Sequence, residues 1–119
     1  MKKISIISTL VILCSCSAKL ITPTQSDVDR VSSNYPGYTL ADLNQGKAIF
    51  IKNCDECHKF KKPSSQSETE WQEVVPEMVA KANKKAGSII IDAKSQEQLL
   101  KYLLTMRTAG KTDTEKTPL

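Results

Sequence analysis

Apolar residues recur at helical spacing in three stretches of the chain. Leu40, Leu43, Gly46 and Phe50 fall three or four residues apart. Thr39 precedes them as an N-cap, with Asp42 at the third helical position as a variant of the capping box. A second helix is predicted to begin at Ser67, with Glu70 completing its box, and its apolar face runs Trp71, Val74, Val75, Met78, Val79 and Ala82. Pro76 falls inside this stretch. Proline lacks a backbone N–H and crowds the preceding turn, so a kink or restart is expected there. A third helix is predicted from Ser95, with Gln98, through Leu99, Tyr102, Leu103 and Met106, ending before Gly110. The run Ile89-Ile90-Ile91 has strand propensity, but no second run offers it a partner, so it reads as an extended apolar wall. No internal repeat is present. The pattern predicts an all-α fold with one small domain over residues 38–110. Residues 18–37, rich in Ser, Thr, Pro and Asp, show no periodic face and read as a flexible tether. Residues 111–119 read as a polar tail.

The first residues have a different organisation. Met1-Lys2-Lys3 is a short basic head, and Ile4 to Leu13 is an apolar run. A run of that length suits the core of a signal peptide; a membrane span needs roughly 20 apolar residues. Leu13-Cys14-Ser15-Cys16 resembles the lipobox of bacterial lipoproteins, with Leu three places before Cys16 and a small Ser just before it. The resemblance implies cleavage after residue 15, a lipid on Cys16, and a tether over 16–37. Cys14 is the competing site, but bulky Leu13 would then precede the cut. The expected location is a bacterial membrane, with the domain facing the periplasm. Ser17 is not the Asp that retains lipoproteins in the inner membrane of enteric bacteria, which tilts the expectation toward the outer membrane.

Composition narrows the picture. The chain has 119 residues, of which 39% are apolar, 25% charged and 5% aromatic, enough for one core and no second. Without Lys2 and Lys3 the basic-to-acidic balance is 15 against 13, about +2, and no Arg-rich or aromatic-interleaved stripe appears, so nucleic acid is not an expected partner. A core this thin usually needs a staple. With Cys14 removed and Cys16 acylated, the mature chain keeps Cys54 and Cys57 for that purpose.

Those two cysteines stand in Cys54-Asp55-Glu56-Cys57-His58. Cys-x-x-Cys-His is the attachment signature of c-type haem. Two thiols three residues apart on a helical turn reach two neighbouring vinyl groups on one porphyrin edge, and the His that follows takes the proximal position on iron. A structural zinc site needs about four Cys or His ligands, and the domain offers three. A thioredoxin-like pair expects a strand–helix–strand frame that is not visible here. A plain Cys54–Cys57 disulfide leaves His58 unexplained. One covalently bound haem c is therefore the expected cofactor.

At this point the chain resembles the small monohaem cytochromes c over roughly residues 40–104. Gly46 with Phe50 is similar to the first helix of that family, and Leu99 with Tyr102 and Leu103 to its last. The resemblance implies an all-α cytochrome c-like domain wrapped around the haem, with the two helices crossing closely at the glycine. His58 is the only His in the sequence, so two-His ligation from one chain is excluded, and a Met thioether is the usual alternative. The mature chain holds Met78 and Met106. Met106 continues a core stripe, whereas Met78 follows Trp71 and Pro76 in a pattern that resembles short bacterial cytochromes, so Met78 is the expected distal ligand with Met106 as its alternative. The chain departs from larger cytochromes c in lacking a long Met-bearing loop before the last helix. Trp71 is read either as a core aromatic or as a donor to a haem propionate. Lys59, Lys61 and Lys62 either ring an exposed porphyrin edge, steering an acidic redox partner protein, or form a solvated loop. No general base, nucleophile or substrate pocket is identifiable, so the expected function is one-electron transfer rather than stand-alone catalysis. Two alternatives are a haem-bearing subunit of a larger oxidoreductase and a ligand-binding haem sensor with an open sixth iron position.

Overall fold

The computed structural model describes residues 20–54 and 62–109. They form four α-helices, α1 (Gln25–Arg30), α2 (Leu40–Cys54), α3 (Glu68–Ala86) and α4 (Ala93–Met106), with a 3₁₀ turn at Pro63–Ser65 before α3. No strand occurs among the described residues, and the fold there is all-α.

Two of the helix starts follow the sequence pattern. The Asp42 amide donates to Thr39 Oγ1 at 3.1 Å while the Thr39 amide donates to Asp42 Oδ2 at 3.0 Å. At α3 the Glu70 amide donates to Ser67 Oγ, and the Ser67 amide donates to Glu70 Oε2 at 2.6 Å. Each box satisfies amides that have no partner in the first helical turn. Helix α3 stops at Gly87, whose φ of +70° is the left-handed conformation that glycine adopts without a Cβ clash. The start of α4 differs from expectation. Its N-cap is Asp92, which accepts from the Ser95 amide at 2.8 Å; Ser95 lies inside the first turn. The carboxylate outcompetes the hydroxyl as a cap because it also meets the positive end of the helix dipole.

The restart expected at Pro76 does not occur: α3 is one helix from Glu68 to Ala86 that includes it. Pro76 and Gln72, the residue whose carbonyl loses its helical donor, are both exposed. Water can therefore satisfy the freed carbonyl, and the break that a buried proline forces is avoided.

The core gathers on α4. Leu43 and Phe50 from α2, Trp71, Val75 and Val79 from α3, and Leu99, Tyr102, Leu103 and Met106 from α4 are all buried. Gly46 sits where α2 crosses α4, and a Cβ there would stand 2.6 Å from Tyr102 Cβ and closer still to the Gln98 carbonyl oxygen. Only the missing side chain permits this approach. The Phe50 and Tyr102 rings lie beside the crossing at 5.7 Å. Helices α2 and α3 both pack on α4, and neither makes a comparable contact with the other.

The expected tether over 16–37 is corrected for its described part. Residues 25–30 form α1, which packs on α2 and α4. Pro23 and Val28 are buried, and Thr24 with Asp27 makes a third capping box. Arg30 bridges Asp27 Oδ1 at 2.8 Å and donates to the Thr105 carbonyl at 2.6 Å. One buried valine and the Arg30 bond to the Thr105 carbonyl tie this helix to α4, too few positions to generate a periodic signal.

Candidate functional site

Helix α2 carries the chain to Cys54. The backbone of Cys54 is the last turn of that helix; Cys57, His58, Lys59 and Lys61 lie outside the described residues, as do Cys16 and the expected signal peptide. Both sides of the motif are held. On one side α2 is locked against α4 at Gly46, and Asn53 Nδ2 donates to the Ile49 carbonyl at 2.9 Å near the helix end. On the other side Pro63 is buried, and its carbonyl accepts the Trp71 indole N–H at 2.8 Å. The 3₁₀ turn that contains Pro63 also packs on α4. Cys54 and Pro63 thus both belong to elements that pack on α4, while Lys62 is exposed.

This contact decides the role of Trp71. The indole is 1% exposed and its single N–H already has a backbone acceptor. The donor read as a propionate contact is instead a latch between α3 and the turn after the motif. An indole offers one donor, so one good bond of this kind excludes a second.

The two methionines have opposite environments. Met106 is 3% exposed in the core beside Leu103, whereas Met78 is 37% exposed on the flank of the α3 stripe. The Met106 thioether is a packing group, and the Met78 thioether is free to meet a ligand.

Other large apolar side chains are also uncovered. Ile51 lies three residues before Cys54 and is 42% exposed, and Ile89 and Ile90 are more exposed still. The expected apolar wall is thus split, because only Ile91 of the three turns into the core. Asn83 sets that arrangement: its Oδ1 accepts from the Ile90 and Ile91 amides, each at 2.9 Å, and its Nδ2 donates to the Ile91 carbonyl at 3.0 Å. A side chain near the end of α3 thereby does the work of a strand partner for this segment. Nothing in the apolar periodicity pointed to Asn83 or Pro63; polar residues that bond to distant backbone leave no periodic trace.

Among the described residues, Cys54 ends α2, and Met78, Ile51, Ile89 and Ile90 leave apolar side chains exposed. Among the described residues no three His, Cys, Asp or Glu side chains gather as a separate metal site. No described helix is long and apolar enough to cross a membrane.

Burial and hydrogen bonding shift several of the described titratable groups. Burial pushes the Tyr102 and Tyr38 phenols up to about 12, with the Asp42 and Tyr35 charges adding to the effect at Tyr38, so both stay protonated near neutrality. After burial, Thr105 is the larger influence on Tyr38 and acts the other way, although the two hydroxyls are not in hydrogen-bond geometry. Burial alone would raise Asp27, but hydrogen bonds from Arg30 and Thr24 outweigh it and hold the carboxyl below its ordinary value. An open cleft between the Tyr38 turn and α4 is lined by Asp42, Lys94, Glu97 and Lys101. Its charges neutralise one another, with Lys101 on Glu97 at 2.9 Å and over the Tyr35 and Tyr38 rings.

Comparison of the chain with protein-family models, curated proteins and solved structures finds no match.

Proposed function

We propose that this chain is a monohaem cytochrome c, tethered to a bacterial membrane by a lipid on Cys16, that carries one electron between redox partner proteins. The observation that carries the reading is the position of the motif. Cys54 ends the helix whose Gly46 crosses α4 at Tyr102, the arrangement that the resemblance to cytochromes c implies. The helix that ends at Cys54 is thereby fixed against α4. Two further observations support it: α2 and α3 lean on α4 instead of on each other, and Met78 is exposed while Met106 is not.

In this reading Cys54 and Cys57 hold the haem through thioether bonds, His58 is the proximal ligand and Met78 the distal one. The bound iron supplies a reversible one-electron couple. The chain's own part is to keep the ligand set unchanged between oxidation states. The α2–α4 crossing fixes the backbone that ends at Cys54, and α3 carries Met78. The exposed Ile51, Ile89 and Ile90 would offer apolar surface to a bound porphyrin.

The test is expression with a cytochrome c maturation system. The haem should stay with the polypeptide through acid–acetone extraction and give the pyridine haemochrome spectrum of a doubly thioether-linked porphyrin. A colourless chain of apoprotein mass would refute the reading. For the distal ligand, Met78→Leu should abolish the ferric Met–iron charge-transfer band. Met106→Leu should keep the band and cost less than about 1.5 kcal/mol of stability, as volume-conserving core swaps do. The Cys16→Ser variant should leave the membrane fraction.

A further inference from the structure

The stretch before α2 reads in sequence as a loose leash, yet from Leu20 onward it is attached to the domain. Leu20 packs on the core, Pro23 is buried, Val28 is 3% exposed, and Arg30 reaches the carbonyl of Thr105, itself fully buried on α4. Arg30 is held for that bond by Asp27, which is 7% exposed and accepts from both Arg30 and Thr24. This is a built clamp with apolar, ionic and backbone components, and it ties the start of the folded region to the last turn of α4.

We infer that the clamp shortens the membrane leash to the few residues between Cys16 and Pro23 and keeps the domain at the membrane surface, so that its redox partner is a protein held in the same membrane. The inference rests on the proposed lipid at Cys16. A leash running from Cys16 to residue 37 would span roughly 75 Å at full extension, whereas one ending at Pro23 spans at most about 25 Å. The second figure is comparable to the diameter of the domain itself, about 25–30 Å for a chain of this size. A partner whose docking surface lies far from the bilayer is then out of reach, and its effective concentration falls toward zero. A partner in the same membrane meets the domain at the high effective concentration that short linkers give. Ile21, 54% exposed at the end where the leash leaves the domain, offers an apolar side chain to the interface.

Three measurements on the lipidated full-length holoprotein test this. The chain has two arginines, Arg30 and Arg107, so an arginine-specific protease reads the clamp directly. The Arg30–Val31 bond should be cut at least ten-fold more slowly in the native chain than in Val28→Asp; equal rates would overturn the clamp, with or without a lipid. In liposomes carrying a headgroup acceptor dye, a donor on the Ser88→Cys variant should show efficient energy transfer. A Gly/Ser insertion of about twenty residues between Lys19 and Leu20 leaves the folded region untouched and adds roughly 25 Å of r.m.s. reach; it should lower the transfer at least two-fold. Low transfer in the native chain, or no change on insertion, would overturn the short leash. Finally, reduction by membranes of the native host should slow several-fold in the insertion variant, as dilution over a longer leash dictates, while reduction by ascorbate stays unchanged. A faster rate on insertion would place the partner beyond the leash and overturn the inference. A native chain that ignores liposomes altogether sinks the anchor and the leash together, and leaves the protease result to decide the clamp alone.

Discussion

Where α2 crosses α4, Gly46 brings the two backbones so near that a methyl group would stand 2.6 Å from Tyr102 Cβ. Helix α3 reaches α4 by other means: Trp71, Val75 and Val79 fill the space with side chains, while Met78 on the same helix stays open. The first contact is complete in itself, since Leu43, Phe50, Leu99 and Tyr102 around it are all buried. The second is complete on one face only, and exposed apolar residues flank it. The contrast teaches where a bound group belongs: a contact made by backbone approach has no room for a guest, whereas a side-chain stripe with an uncovered edge does.

That contrast can be tested by perturbing each half. Trp71→Ala should have the greatest effect, about 3–5 kcal/mol of unfolding free energy, because it opens a large cavity and also removes the donor to the Pro63 carbonyl. Denaturant titration of the purified domain measures it, and a loss below 1 kcal/mol would show that α3 does not depend on its stripe. Gly46→Ala follows at about 2–3 kcal/mol. The added methyl forces the α2 and α4 backbones apart, against a gain in helix propensity of at most about 1 kcal/mol. A neutral or stabilising Gly46→Ala would mean that the crossing is looser than its geometry.

Asn83→Ala should cost about 1–2 kcal/mol. It strips the partners from the Ile90 and Ile91 amides and the Ile91 carbonyl, and hydrogen exchange at those two amides should rise while the α2 amides are unaffected. The smallest effect concerns Asp27. Its folded-state pKa lies below the ordinary value near 3.9, so the stability it contributes is fully present above about pH 4 and is lost as pH falls through the depressed value. Between pH 5 and pH 3, Asp27→Asn should lose less stability than the native chain, read from denaturation midpoints, and an identical slope would rule out a native-state role for the carboxylate.

The two capping boxes at Thr39 and Ser67 were legible because a capping box is a local object: a hydroxyl and a carboxylate three residues apart meet wherever the chain turns helical. The same pattern at Thr24 and Asp27 was open to the same reading, but without a periodic apolar face behind it the helix that follows carried no second signal. Ser95 was read as the start of α4, and only the folded turn shows that Asp92, three residues earlier, accepts the amide. The Cys-x-x-Cys-His spacing is legible at a glance, since it is wholly local.

Local spacing thus establishes three long helices and the thiol–thiol–imidazole triplet, while the glycine where two of the helices meet was implied by the resemblance to cytochromes c. Each depends on residues within a few positions of one another or on a side chain that is absent. Four features needed the folded chain: the passage of α3 through Pro76, the latch from Trp71 to Pro63, the grip of Asn83 on Ile91 and the clamp from Arg30 to Thr105. Each of these turns on which backbone groups face water and which face a partner, a property of the whole packing that no window of sequence contains.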